Sequence, residues 1–191
     1  MKIGIFGGSF DPVHQGHLAV ARHVREQFET DKIFFIPTLI SPHKIVESPS
    51  ASGEHRFKML ELAAEQDKSF RVSDAELNRE GISYTVDTLK IFRRDFPKDE
   101  IFLILGADSY SHFFSWKNPE EIYAMVRFLI APRQGCDLTL DPVKTSWISM
   151  KPFSVSSSGI RDRFRQREAV GEDLVPRKVL DYIRDHHLYQ T

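Results

Sequence analysis

The chain has little of what marks secreted, membrane-spanning or nucleic-acid-binding proteins. Its single cysteine, Cys136, excludes an internal disulfide framework and a cysteine-based zinc cage. No sign of charge dominates, since 26 Lys and Arg stand against 27 Asp and Glu for a net charge of −1. A chain so balanced has no broad electrostatic footprint for duplex nucleic acid or an anionic membrane, so neither is expected as a partner. Any anion it binds must be held by local arrangement. The longest apolar stretches, such as Ile101 to Leu105, fall far short of the roughly 20 residues a membrane span needs. The apolar run Lys2 to Phe6 follows Met1 at once and leaves no room for a signal peptide, so a cytoplasmic protein is expected. Apolar residues at 41% and charged residues at 28% are ordinary globular usage, which excludes disordered and fibrous classes. The 191 residues predict one domain over 1–191 with a substantial core.

Short apolar runs alternate with helical patterns along the chain. Ile3–Phe6, Ile33–Pro37, Phe70–Ser73, Ile101–Leu105, Phe128–Ala131 and Trp147–Ser149 read as strands. Several are apolar at successive positions, which predicts strands covered on both faces. Leu18, Ala21, Val24 and Phe28 recur at helical spacing, as do Val86, Leu89, Phe92 and Phe96. Asn118 is read as an N-cap before Pro119, and Pro176 as the opening of the last helix. This alternation predicts an α/β fold with a doubly wound, mostly parallel sheet. Ser48–Gly53 reads as a polar loop and Gln134–Val143 as a second irregular stretch.

The most informative segment runs from Gly7 to His17, where the first strand passes into the first helix. In doubly wound sheets this turn is the usual phosphate site, because the helix start offers N–H groups and glycines allow close approach. Two familiar glycine signatures fail. Gly4, Gly7 and Gly8 do not make G-x-G-x-x-G, and no glycine followed by Lys and Ser or Thr completes a P-loop. His14 and His17 stand three apart, so in a first helical turn their rings share a face. Exposed rings without a role, a zinc pair and two donors to a phosphoryl group are the competing readings. A zinc pair lacks a third ligand at suitable spacing, and no protein metal site is expected. Phosphoryl transfer fits the rest. A phosphate monoester is already largely dianionic at pH 7, so it needs positioning and charge stabilisation rather than a protein nucleophile.

His14-Gln15-Gly16-His17 resembles the HxGH motif of the nucleotidylyltransferases, and Ser156-Ser157-Ser158-Gly159-Ile160-Arg161 resembles that superfamily's second motif. Ser41-Pro42-His43-Lys44, Ser83 to Thr88, Leu105-Gly106-Ala107-Asp108 and Trp116 follow the order seen in the bacterial nicotinate mononucleotide adenylyltransferases. Ser9 stands where that family commonly has Thr, and Ser41 where it commonly has Pro. The resemblance implies a Rossmann-like fold and a reaction of ATP with nicotinate mononucleotide. The products are nicotinate adenine dinucleotide, on the route to NAD, and pyrophosphate, with magnesium carried on the triphosphate. It implies catalytic roles for His14, His17 and Arg161. Gly7, Gly8, Ser9, Phe10, Gly16, Gly106, Asp108, Ser156, Ser157, Ser158 and Ile160 would bind ATP, and Lys44, Thr85 and Trp116 the acceptor. Alternatives are nicotinamide mononucleotide or phosphopantetheine as acceptor, and a binding module without turnover. Whether the chain forms a homo-oligomer stays open.

Overall fold

The computed structural model describes residues 1–42, 49–133, 135 and 138–190. Strand β1 (Lys2–Gly8) buries Ile3 and Ile5 on one face and Gly4 and Phe6 on the other, as a strand covered on both sides must. It pairs in parallel with β2 (Lys32–Pro37) and with β4 (Glu100–Gly106), with Ile3 opposite Lys32 and Ile101. Beyond β2 lies β3 (Phe70–Val72); beyond β4 lie β5 (Arg127–Ala131) and β6 (Thr145–Trp147). The order β3-β2-β1-β4-β5-β6 is wholly parallel and reverses its direction of winding between β1 and β4. That reversal opens a crevice at the carboxyl ends of the two strands.

Helices cover both faces. Against one pack α1 (Gln15–Phe28), α2 (Gly53–Ala64), α6 (Ser157–Arg165) and α7 (Arg177–Asp185), through Leu18, Val24, Met59, Leu60, Ile160 and Ile183. Against the other pack α3 (Thr85–Asp95), the short α4 (Ala107–Ser111), a 3₁₀ turn at Phe113–Ser115 and α5 (Pro119–Met125). Val86, Leu89 and Phe92 of α3 bury the stripe that the sequence periodicity predicts. Among the described residues no helix is long and apolar enough to cross a membrane.

Four local expectations shift. The last strand spans Thr145–Trp147 rather than Trp147–Ser149, because Thr145 is buried opposite Phe128 and pairing starts there. Asn118 precedes α5 in a left-handed conformation and makes no side-chain cap. Pro176 is the residue before α7 rather than its first. Gly53, expected at the end of a loop, opens α2 behind an N-cap Ser52 whose hydroxyl accepts from His55 N at 3.3 Å. The apolar stripe of α2 was hidden because Arg56, a charged residue, occupies one of its buried positions beside Met59, Leu60 and Ala63.

Gly4 lets β1 pass tightly under its neighbours. A Cβ there would sit 3.1 Å from Ile104 Cδ1 and 3.2 Å from Ile33 Cγ1, both fully packed side chains. Gly4→Val is therefore expected to lower unfolding free energy by about 1–3 kcal/mol through overpacking, read from the denaturant midpoint. An unchanged midpoint would show that the two isoleucines can move aside.

Candidate functional site

The turn after β1 is built around backbone that few residues would choose. Phe10 holds a φ of 47° yet is buried, its ring edge-on to His17 with centroids 4.9 Å apart and to Phe6 at 5.6 Å. Such a conformation persists only where its surroundings enforce it. The carbonyl of Ser9 accepts from Arg56 Nη1 at 2.8 Å. Asp11, also buried, accepts from Ser50 N at 2.7 Å, Ala51 N at 3.0 Å and the Tyr189 hydroxyl at 2.7 Å. The turn is thus pinned by α2, by the chain leading into it and by the last residues of the protein.

His14 occupies the N-cap position of α1 and His17 lies one turn on, with rings stacked 3.7 Å apart and inclined by 23°. The backbone N–H of His14 donates to His17 Nδ1 at 3.2 Å. Because an amide can only donate here, His17 Nδ1 carries the lone pair and the ring proton sits on Nε2. Gly16 makes the stacking feasible: a Cβ there would lie 3.0 Å from His14 Nδ1 and 3.0 Å from Val155 Cγ1. His14 Nδ1 is buried and has no hydrogen-bond partner among the described residues. An unpartnered buried polar atom at a helix start suits a ligand that supplies the missing partner. One amide of that helix start is already committed, since Gln15 N donates to Leu174 O at 2.8 Å.

Helix α6 docks on the same turn. Ser157 Oγ donates to Pro12 O at 2.9 Å, and Arg161 Nη1 donates to Asp11 O at 2.8 Å and lies 3.7 Å from Asp11 Oδ2. Ser156 caps the helix by accepting from Gly159 N at 3.2 Å, and its hydroxyl lies 3.2 Å from that of Ser158. Ile160 is buried in the core, so its side chain seats α6 from beneath. The two segments carrying the sequence motifs, about 140 residues apart, therefore meet.

Gly7 and Gly8 also line a cavity of about 160 Å³ at the crevice between β1 and β4. Thr38, Ser41 and Pro42 line it together with Ser83, Tyr84, Thr85 and Thr88, and Trp116 and Ser109 complete the lining. Trp116 is half-buried with its ring edge-on to Phe113 at 5.8 Å, so it belongs to both core and cavity. His14 and His17 do not line this cavity, whereas Gly7 and Gly8, at the end of the preceding strand, do. Gly106 ends β4, and Asp108, in the first turn of α4, pairs with Arg133 at 2.7 Å on the exposed side. Lys44 lies outside the described residues. Among the described residues no cluster of three or more His, Cys, Asp or Glu could hold a metal.

The chain is similar to known proteins along its length. A family model described as cytidylyltransferase-like matches residues 5–163. The nicotinate-nucleotide adenylyltransferase of Bacillus subtilis strain 168 is 38% identical over 190 residues, covering 100% of this chain and 99% of that protein. The chain belongs to the nicotinate-nucleotide adenylyltransferase family. Two solved structures of the Plasmodium falciparum nicotinic acid mononucleotide adenylyltransferase share the fold. One, complexed with NaAD, has a TM-score of 0.81 at 22% identity, covering 98% of this chain and 97% of that one. The other, complexed with APC, has a TM-score of 0.80 at 21% identity, covering 98% and 96%.

The family's motif residues thus have neighbours that sequence reading did not single out. Asp11, Arg56 and Tyr189 form the buried support of the turn. Only Asp11 lay within a motif, and neither a lone arginine in α2 nor a tyrosine near the end of the chain carried a signal. Burial lowers the Arg56 guanidinium from its ordinary value, with Asp11 opposing that shift. Burial, then Asp11, raises the Tyr189 phenol and keeps it protonated as a donor.

Burial also pushes His14 down to about 4, and His17 well below its ordinary value with His14 adding to the effect. Both rings are neutral at pH 7. The unfolded chain protonates its histidines near pH 6.5, whereas folded His14 resists until about pH 4, so stability rises with pH across that window. Acidification from pH 6.5 to pH 4 is expected to cost about 3 kcal/mol through His14 alone. Denaturant unfolding across that range measures it, and His14→Gln flattens the profile; identical slopes for both proteins would place the proton uptake elsewhere.

Proposed function

We propose that the chain, acting as one domain in the cytoplasm, transfers the adenylyl group of ATP to nicotinate mononucleotide. A phosphate oxygen of the acceptor attacks the α-phosphorus, the bond to the β-phosphate oxygen breaks, and pyrophosphate leaves. One observation carries the reading: a stacked, neutral histidine pair with an unfilled hydrogen-bonding position opens α1, and the strand leading to it ends at Gly7 and Gly8 in the lining of a cavity that Thr85 and Trp116 share. Family membership supplies the substrates; the geometry supports how they are used.

In this reading His17 presents its Nε2–H to the α-phosphate, where negative charge grows as the new bond forms. His14 and the α6 serines hold the rest of the triphosphate. Neutral donors in a fixed stack stabilise that charge without reorganising, which is where such sites gain most of their effect. Arg161 acts with a guanidinium already braced against Asp11, adding positive charge to the triphosphate side. Gly106 and Asp108, at the end of β4, face the nucleotide sugar, and Gly7, Gly8, Ser9, Phe10 and Gly16 shape the turn beneath it. Trp116 stacks on the pyridine ring, Thr85 donates to the acceptor, and Lys44 meets its phosphate. Magnesium enters on the triphosphate as part of the substrate and offsets its charge.

Purified protein with ATP, magnesium and nicotinate mononucleotide is expected to release pyrophosphate, at a higher kcat/KM than with nicotinamide mononucleotide or phosphopantetheine. Release only with phosphopantetheine, or binding of ATP without release, overturns the assignment. His17→Ala is expected to lower kcat by about 10²–10³ with an unfolding midpoint close to wild type. A rate within a few-fold of wild type would remove His17 from the transition state.

A further inference from the structure

Glu76 is a carboxylate where an acceptor cavity would not be expected to carry one. It sits in the turn after β3, is 6% exposed, and contributes to the cavity wall. Its Oε1 accepts from Thr88 Oγ1 at 2.7 Å, and Ser83 and Thr38 help to lower its carboxyl against the effect of burial. Thr38 belongs to one segment, Ser83 and Thr88 to another. Thr38 follows β2 and is tied to β1 by its N–H to Gly8 O at 2.9 Å, Ser83 precedes α3, and Thr88 lies in its first turn. The segments are stitched further, with Leu39 N donating to Ser83 Oγ at 3.1 Å and Ser83 N to Ile40 O at 2.9 Å. Arg79 reaches in beside them, its Nη2 donating to Thr88 Oγ1 at 3.3 Å and to Tyr84 O at 3.4 Å.

We propose that Glu76 is a positioning residue for the acceptor: by accepting the Thr88 hydroxyl at the start of α3, beside the bonds that tie Ser83 to Leu39 and Ile40, it holds α3 against the segment after β2, and so sets the placement of Thr85 against the acceptor. The inference rests on the reading of the cavity as the nicotinate mononucleotide site. A carboxylate suits this work because it accepts at two oxygens and cannot donate, so every hydroxyl around it must point inward. An uncharged amide of the same size presents one acceptor and one donor, and leaves a buried hydroxyl facing an N–H. Burial raises the carboxyl above its ordinary value, while the hydroxyl of Thr88 and the charge of Arg79 pull it back.

Steady-state kinetics of Glu76→Gln, with ATP and nicotinate mononucleotide varied in turn, test the proposal. KM for nicotinate mononucleotide is expected to rise about tenfold or more, from the loss of a charge-assisted acceptor, with KM for ATP and kcat within about twofold of wild type. Where Glu76→Gln fails to fold, Thr88→Val and Ser83→Ala each remove one hydroxyl and carry the same expectation of a rise confined to the acceptor. An unchanged acceptor KM, or equal rises in both KM values, overturns the positioning role. Wild-type protein inactive with nicotinate mononucleotide sinks the reading of the function itself. Active wild type with an unresponsive Glu76→Gln sinks only the part given to Glu76.

Discussion

The buried carboxylate of Asp11 is the constraint on which the site depends. A charge removed from water must find partners or destabilise the fold, and Asp11 finds them on three different parts of the chain. The amides of Ser50 and Ala51 fix the approach to α2, the phenol of Tyr189 fixes the end of the protein, and Arg161 fixes α6. What these partners share is the turn between β1 and α1, which is thereby held in a conformation that includes a left-handed Phe10. Through this one carboxylate the turn, α6 and the segment after α7 are tied together.

That unit explains how a chain with no net electrostatic bias can bind a highly charged nucleotide. The sequence carries 26 basic and 27 acidic residues. In the proposed reading the attraction for phosphate comes from directed N–H groups, two neutral imidazoles and one guanidinium brought to the same turn. Burial keeps the imidazoles uncharged, so they enter as oriented donors rather than as cations. The proposed acceptor side uses the opposite device, an acidic group sunk in the cavity wall that takes the Thr88 hydroxyl.

Much of this was legible in one dimension. Five of six strands were placed at nearly their observed limits, because strands buried on both faces read as continuous apolar runs that nothing else in a small α/β protein imitates. Helices α1 and α3 were visible through their stripes. Helix α2 was not, since its inward face includes Arg56, whose burial depends on the carbonyl of Ala51 just before the helix and on that of Ser9, far from it in sequence. The histidine and serine-arginine motifs were recognisable as patterns, but only the docking of α6 on Pro12 and Asp11 puts them on one turn.

The division has a physical cause. Sequence by itself determined what local rules govern: hydrophobic period, strand–helix alternation, glycines where backbones crowd, and the residue types able to meet a phosphate. The tertiary structure decided which of those groups lose their water, and with it the protonation of His14 and His17, the partners of Asp11 and Glu76, and the cavity between β1 and β4. Desolvation is a property of the whole packed chain, contributed by atoms that no local window contains.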